Sequence, residues 1–111
     1  MSSATSLGDF EQLVMLAVIR LKESARALDV REEIQDKAQR GVSRGALYAT
    51  LERLERKGLL TWKTETTTPE RGGIPRRMFL ATDEGVEALR ASQRALANLS
   101  EGIEDILFEK R

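Results

Sequence analysis

The stretch Ser43-Arg-Gly-Ala-Leu-Tyr-Ala-Thr-Leu-Glu-Arg-Leu-Glu-Arg-Lys-Gly58 decides how the rest of the chain is read. Ser43 is a helix-capping residue type and Gly58 a type that ends helices in the left-handed conformation, so a helix over 43–57 is predicted between them. Leu47, Leu51 and Leu54 recur at helical spacing and form its buried stripe. At 100° per residue the opposite side carries Gly45, Ala49, Glu52, Arg53 and Arg56, with Arg44 and Tyr48 nearer the flank. A glycine inside a helix costs about 1 kcal/mol relative to alanine. Gly45 lies on the exposed face just after the cap, where a missing side chain lets a partner approach the backbone.

Upstream, Asp9 caps a predicted helix running to about Lys22, with Gln12 at its third position and neither proline nor glycine inside. Phe10, Leu13, Val14, Ala17, Val18 and Leu21 form one stripe, and Met15, Leu16 and Ile19 cover much of the rest. A helix apolar nearly all round needs two surfaces to pack against, and a second copy of the chain is the simplest source of the other. Asp29 with Glu32 starts a short second helix, carried by Val30, Ile34 and Ala38 and ended by Gly41.

Downstream the period changes to two. Leu59 to Thr66 alternates as a strand, and Arg76 to Thr82 is a second β-competent stretch. Between them Thr67 to Pro75 holds Pro69, Gly72, Gly73 and Pro75, so the two strands form a hairpin whose long tip is expected to project as a flexible basic loop. Thr82 then caps a last helix, expected to run over 83–111 for about 40 Å. Its Leu89, Leu96 and Ile103, with Ser92, Leu99 and Ile106, fit heptad positions, too few for a self-sufficient coiled coil. Phe10, Leu13, Leu16, Ala17, Leu89, Leu96, Leu99, Ile103 and Ile106 are therefore the candidate dimer contacts. Residues 1–8 are expected to form a flexible tail, 9–82 one domain, and 83–111 a dimerisation helix.

Composition removes most other functions. The 111 residues contain no cysteine and no histidine, which excludes disulfides, thiol chemistry, Ser-His-Asp triads and histidine-based metal sites. No metal, cofactor or enzymatic role is expected, since the carboxylates alternate with lysine and arginine and no pocket-forming cluster is legible. The longest apolar run, Leu13 to Ile19, is too short to span a membrane, and Met1 to Ser6 lacks the basic region of a signal peptide, so a cytoplasmic location is expected. Eighteen basic and 18 acidic groups cancel overall, yet 1–39 carries 5 basic and 7 acidic, 40–82 carries 9 and 4, and 83–111 carries 4 and 7. A basic centre between acidic flanks orients a polyanion toward one face.

Three helices followed by a hairpin, the third helix short, capped and basic, is the order of a winged helix-turn-helix, whose third helix enters the major groove of DNA. The candidate DNA contacts are Ser43, Arg44, Gly45, Tyr48, Ala49 and Arg53 on that helix, and Arg71, Gly72, Gly73, Arg76 and Arg77 on the hairpin. Tyr48 has a structural alternative, packing its ring beneath the helix. Arg53 and Arg56 have another, pairing with Glu52, the reading favoured for Arg56. A second class of function, a winged-helix module that binds protein, is compatible with the even net charge.

Gly45-Ala-Leu-Tyr-Ala-Thr-Leu-Glu-Arg-Leu-Glu-Arg-Lys-Gly-Leu-Leu60, Glu70-Arg-Gly-Gly-Ile-Pro-Arg-Arg77 and Leu80-Ala-Thr-Asp-Glu-Gly85 together resemble the PadR family of transcriptional regulators, in its short subgroup with one helix after the wing. The resemblance spans nearly the whole chain. It implies a homodimeric DNA-binding repressor in which Ser43, Arg44, Tyr48 and the wing arginines face double-stranded DNA, on a roughly palindromic operator, while the first and last helices build the dimer. Two departures stand out: Leu28-Asp29 replaces the family's usual Tyr-Gly, and Gly73-Ile74-Pro75 replaces Gly-Arg-Pro, shifting phosphate anchoring onto Arg71, Arg76 and Arg77. Some relatives bind small aromatic effectors between the dimer helices. Here only Phe10 and Met15 offer to line an apolar gap, and the one tryptophan, Trp62, lies on a wing strand, so an effector is left open.

Overall fold

The computed structural model describes residues 6–65 and 76–108. In order they form α1 (Asp9–Leu21), one 3-10 turn (Lys22–Ser24), α2 (Ala27–Ala38), α3 (Arg44–Arg56), β1 (Leu60–Glu65), β2 (Arg76–Ala81), α4 (Asp83–Ser100) and α5 (Glu104–Leu107). The architecture is mostly helical with a two-stranded antiparallel hairpin, in which Leu60 faces Ala81 and Glu65 faces Arg76. The projecting tip expected between the strands, with Arg71, Gly72 and Gly73, lies outside the described residues.

α3 forms as its sequence dictates. The Ser43 hydroxyl accepts from the Ala46 N–H at 3.1 Å, and Gly58 follows the helix at φ +80°, a conformation that disfavours any residue with a Cβ. Val42 before the cap and Leu47 one turn inside are both buried, the arrangement that fixes the angle of entry into a helix. The Arg31 side chain fastens the same entry by donating to the Val42 carbonyl at 2.7 Å. Leu47, Leu51 and Leu54 then meet Val14, Met15 and Val18 of α1, Val30 and Ile34 of α2, and Leu59, Leu60 and Phe79 of the hairpin in one core.

Three expectations need correction. The first concerns α1, which is capped by Gly8 rather than Asp9: the Glu11 carboxylate reaches back to the Gly8 N–H at 2.8 Å, and Asp9 instead accepts from Arg40 at 2.7 Å. Next, α2 starts at Ala27, two residues before Asp29, and stops at Ala38, because Gln39 takes the left-handed turn (φ 52°) expected of Gly41. Third, the single helix over 83–111 is interrupted. α4 ends at Ser100, Gly102 adopts φ +91°, and only four residues of α5 follow. Met15, Ala17 and Leu89 are buried within the single chain, and Ala17 borders an apolar groove together with Leu13 and Leu16.

The start of α4 is built as expected. The Thr82 hydroxyl accepts from the Gly85 N–H at 2.9 Å and donates to the Gly58 carbonyl at 2.7 Å, tying the helix to the end of α3. Gly85 permits that approach, since a Cβ there would sit 2.1 Å from the Leu59 carbonyl oxygen. Beyond Leu89 the helix leaves the core, and Leu96, Leu99, Ile103, Ile106 and Phe108 are exposed. The radius of gyration is 16.1 Å, against about 13 Å for a compact domain of this length. The chain is thus a small core with a projecting apolar arm.

Candidate nucleic-acid interface

The exposed side of α3 carries Arg44, Gly45, Tyr48, Ala49 and Glu52 in that order from its capped end. Among the described residues, nothing beyond its own helix and chain neighbours lies within 4 Å of where a Gly45 Cβ would stand, so no internal packing there demands glycine. Tyr48 is half exposed and borders a groove of about 600 Å³ between α3, the first half of α2, and β2. Arg76 and Arg77 stand on the far side of that groove. Of the third-helix residues singled out from the sequence, the structure brings Tyr48 to the same groove as the two described wing arginines, while Ser43, Arg44, Gly45, Ala49 and Arg53 lie outside its lining.

The hairpin is fastened to the helices on both sides of the groove. The Arg77 guanidinium lies over the Trp62 ring, 4.3 Å from its centre, and the Trp62 Nε1–H donates to Glu55 of α3 at 2.8 Å. This chain of contacts restricts Arg77 while leaving it exposed. On the other side the Phe79 N–H donates to the Ala25 carbonyl at 2.9 Å, and Arg26 pairs with Glu65 at the end of β1. The groove also holds acidic groups, Asp29, Glu32, Glu52 and Glu55 among them. Glu52 is 4.0 Å from Arg56, the loose exposed pair favoured from the sequence.

Arg53, another sequence candidate, is engaged inside the chain. Its Nε donates to Glu11 at 2.8 Å and its Nη2 to the Thr50 hydroxyl at 3.2 Å. Lys57 donates to both oxygens of the same carboxylate, at 3.0 and 2.9 Å. Burial alone would push the Glu11 carboxyl up, but the Gly8 N–H and the bonds from Lys57 and Arg53 prevail and hold it at about 2. Glu11 thus pins the last turns of α3 to the start of α1. Sequence reading passed over it, although a signal existed: Glu11 falls on the helical spacing of Val14, Met15 and Val18, and a charge on a core stripe requires a partner.

Of the proposed dimer contacts, Leu16 and the α4–α5 residues Leu96, Leu99, Ile103 and Ile106 are exposed, while Phe10 and Leu13 are half-buried against the core. Arg40 covers the Phe10 ring at 5.3 Å. Among the described residues no group of histidine, cysteine or carboxylate side chains has the arrangement of a metal site. No helix among them is long and apolar enough to cross a membrane.

Comparison with known proteins gives a consistent picture. Residues 15–91 match the model of the transcriptional regulator PadR-like family. The fold is similar to that of a PadR-like transcription factor from Bacteroides fragilis, with 29% identity and a TM-score of 0.71 over 87% of this chain and 88% of that one. A PadR family regulator from Eggerthella lenta shows 28% identity and a TM-score of 0.67, covering 89% of this chain and 84% of its own. A PadR-like regulator from Bacillus cereus, only 18% identical, shares the fold alone, with a TM-score of 0.72 over 91% and 93% of the two chains. No curated protein matches the chain.

Proposed function

The chain belongs to the PadR-like transcriptional regulator family, and from that premise we propose that it is a homodimeric repressor that inserts α3 into the major groove of an operator. The family is one of DNA-binding regulators rather than catalysts, which leaves the mode of binding to be argued from this chain. One observation carries the reading. Gly45 leaves the backbone open beside Arg44 at the exposed, capped end of α3, the helix whose Tyr48 shares a groove with Arg76 and Arg77 of the hairpin.

In this reading Ser43 and Arg44 meet phosphate or base edges at the entering end of the helix, and Gly45 and Ala49 keep the approach close. Tyr48 sends its hydroxyl toward the duplex backbone. The hairpin, including the basic residues of its tip, lies on the flanking backbone or minor groove. Two copies joined through α1 and the α4–α5 arm place their third helices about 34 to 36 Å apart, and a roughly palindromic operator follows from that symmetry. Such a regulator works in the cytoplasm.

Fluorescence anisotropy with duplex DNA across a salt series tests the proposal. Binding should weaken steeply with salt, and Arg44→Ala or Arg76→Ala should each flatten the plot of log K against log salt by about one unit. A salt-insensitive interaction, or a slope unmoved by both changes, would overturn the assigned interface.

A further inference from the structure

Arg26 is an unusual residue to find where it stands. It caps α2 in extended conformation, at the positive end of the helix dipole, where serine, threonine or a carboxylate is favoured and a cation is repelled. The helix does not explain it, and its partners do. Nε donates to one oxygen of Glu65 at 2.8 Å, a second guanidinium nitrogen donates to the other oxygen of Glu65, and Nη1 donates to Asp29 at 3.1 Å. The fork joins α2 to the last residue of β1, 39 positions away in sequence.

We propose that Arg26 is a positioning residue for DNA binding: its clamp on Glu65 sets the angle at which the hairpin stands to α3, without contact between Arg26 and DNA. The inference rests on the DNA-binding reading above and deepens it. Three observations support it. A two-stranded hairpin is marginal by itself and takes its orientation from what it is tied to. Each of the three Arg26 nitrogens already serves a carboxylate, so its charge is matched within the chain. Glu65 faces Arg76 across the hairpin, so the clamp acts at the loop-side end of the strands, beside the described wing cations. The Arg26 and Glu65 side chains are only 27% and 15% exposed, so the pair is screened less by salt than an open phosphate contact.

The test uses Arg26→Gln, Glu65→Gln and the double variant, with a duplex enriched from a random pool by the wild-type protein. Each single variant should lose about tenfold in affinity, and the double variant clearly less than the two losses combined, because both remove the Arg26–Glu65 pair. The slope of log K against log salt should stay at the wild-type value, since no phosphate contact is lost. In the free protein, acrylamide quenching of Trp62, the sole tryptophan, should rise in both singles as the hairpin loosens. Wild-type affinity in the singles, additive losses, unchanged quenching, or a slope reduced by about one in Arg26→Gln would each overturn the proposal, the last by making Arg26 a direct phosphate contact. A wild-type protein that binds no duplex would instead remove the DNA-binding reading, and the positioning role with it.

Discussion

Single residues in this chain divide into those that serve the fold and those left facing outward, and glycine shows the division best. At Gly85 an added methyl would strike the Leu59 carbonyl at 2.1 Å and the Met15 side chain at 2.8 Å, so Gly85→Ala should lower the unfolding free energy in urea by about 3 kcal/mol. At Gly45 the space is open, and Gly45→Ala should raise stability by about 0.5 to 1 kcal/mol while weakening DNA binding, an opposition that separate urea and anisotropy measurements would show. Both glycines stand in helices in the sequence, and only the placement of Leu59 distinguishes them. Glu11 makes a prediction of another kind. Its folded value of about 2 lies below the 4.5 of the free side chain, so its contribution is complete above 4.5 and is lost as pH falls through 2. Stability should therefore decline between about pH 5 and pH 2 by roughly 3 kcal/mol, and Glu11→Gln should remove most of that slope while destabilising the protein near neutrality. A slope as steep in the variant as in the parent would contradict the assignment.

The elements themselves were largely legible, because each long periodic segment agrees with a chemical boundary signal. Ser43 and Thr82 were readable as caps since a side-chain hydroxyl at a boundary has one evident use. The ends that were misread have physical reasons. At α1 the carboxylate of Glu11 does the work expected of Asp9, and it does so because its other bonds to Arg53 and Lys57, invisible in a local pattern, hold it there. At α2 Gln39 takes a left-handed turn although Gly41 lies two residues on, where nothing among the described residues within 4 Å of its Cβ position calls for glycine. The expected last helix was too long since its heptad spacing continues past Gly102, whereas the backbone turns there at φ +91°. Gly102→Ala disfavours that turn by about 1 kcal/mol, so α4 and α5 should tend to merge. A rise in helical ellipticity at 222 nm would record it, and no rise would mean that something other than glycine holds the break.

At the scale of the whole molecule, the core is complete around α3 and the hairpin and incomplete along α4. Leu99 and Ile106 are 81% and 74% exposed on the arm beyond Leu89. Leu96→Glu combined with Ile103→Glu should yield a folded monomer by sedimentation equilibrium and weaken operator binding together with it, since one half-site makes few contacts. A dimer that survives both changes would place the interface elsewhere. The sequence disclosed the existence of such an arm through its heptad leucines, but not its division between core and surface, because Leu89 sits on the same repeat as Leu96 and is buried. On the proposed assembly, that half-finished arm makes abundance a regulatory variable. Occupancy of a promoter would then climb with the square of subunit concentration at low expression. A newly synthesised copy, alone in the cell, would show its leucines to proteases until it met a sibling, so the onset of silencing would be sharp rather than gradual.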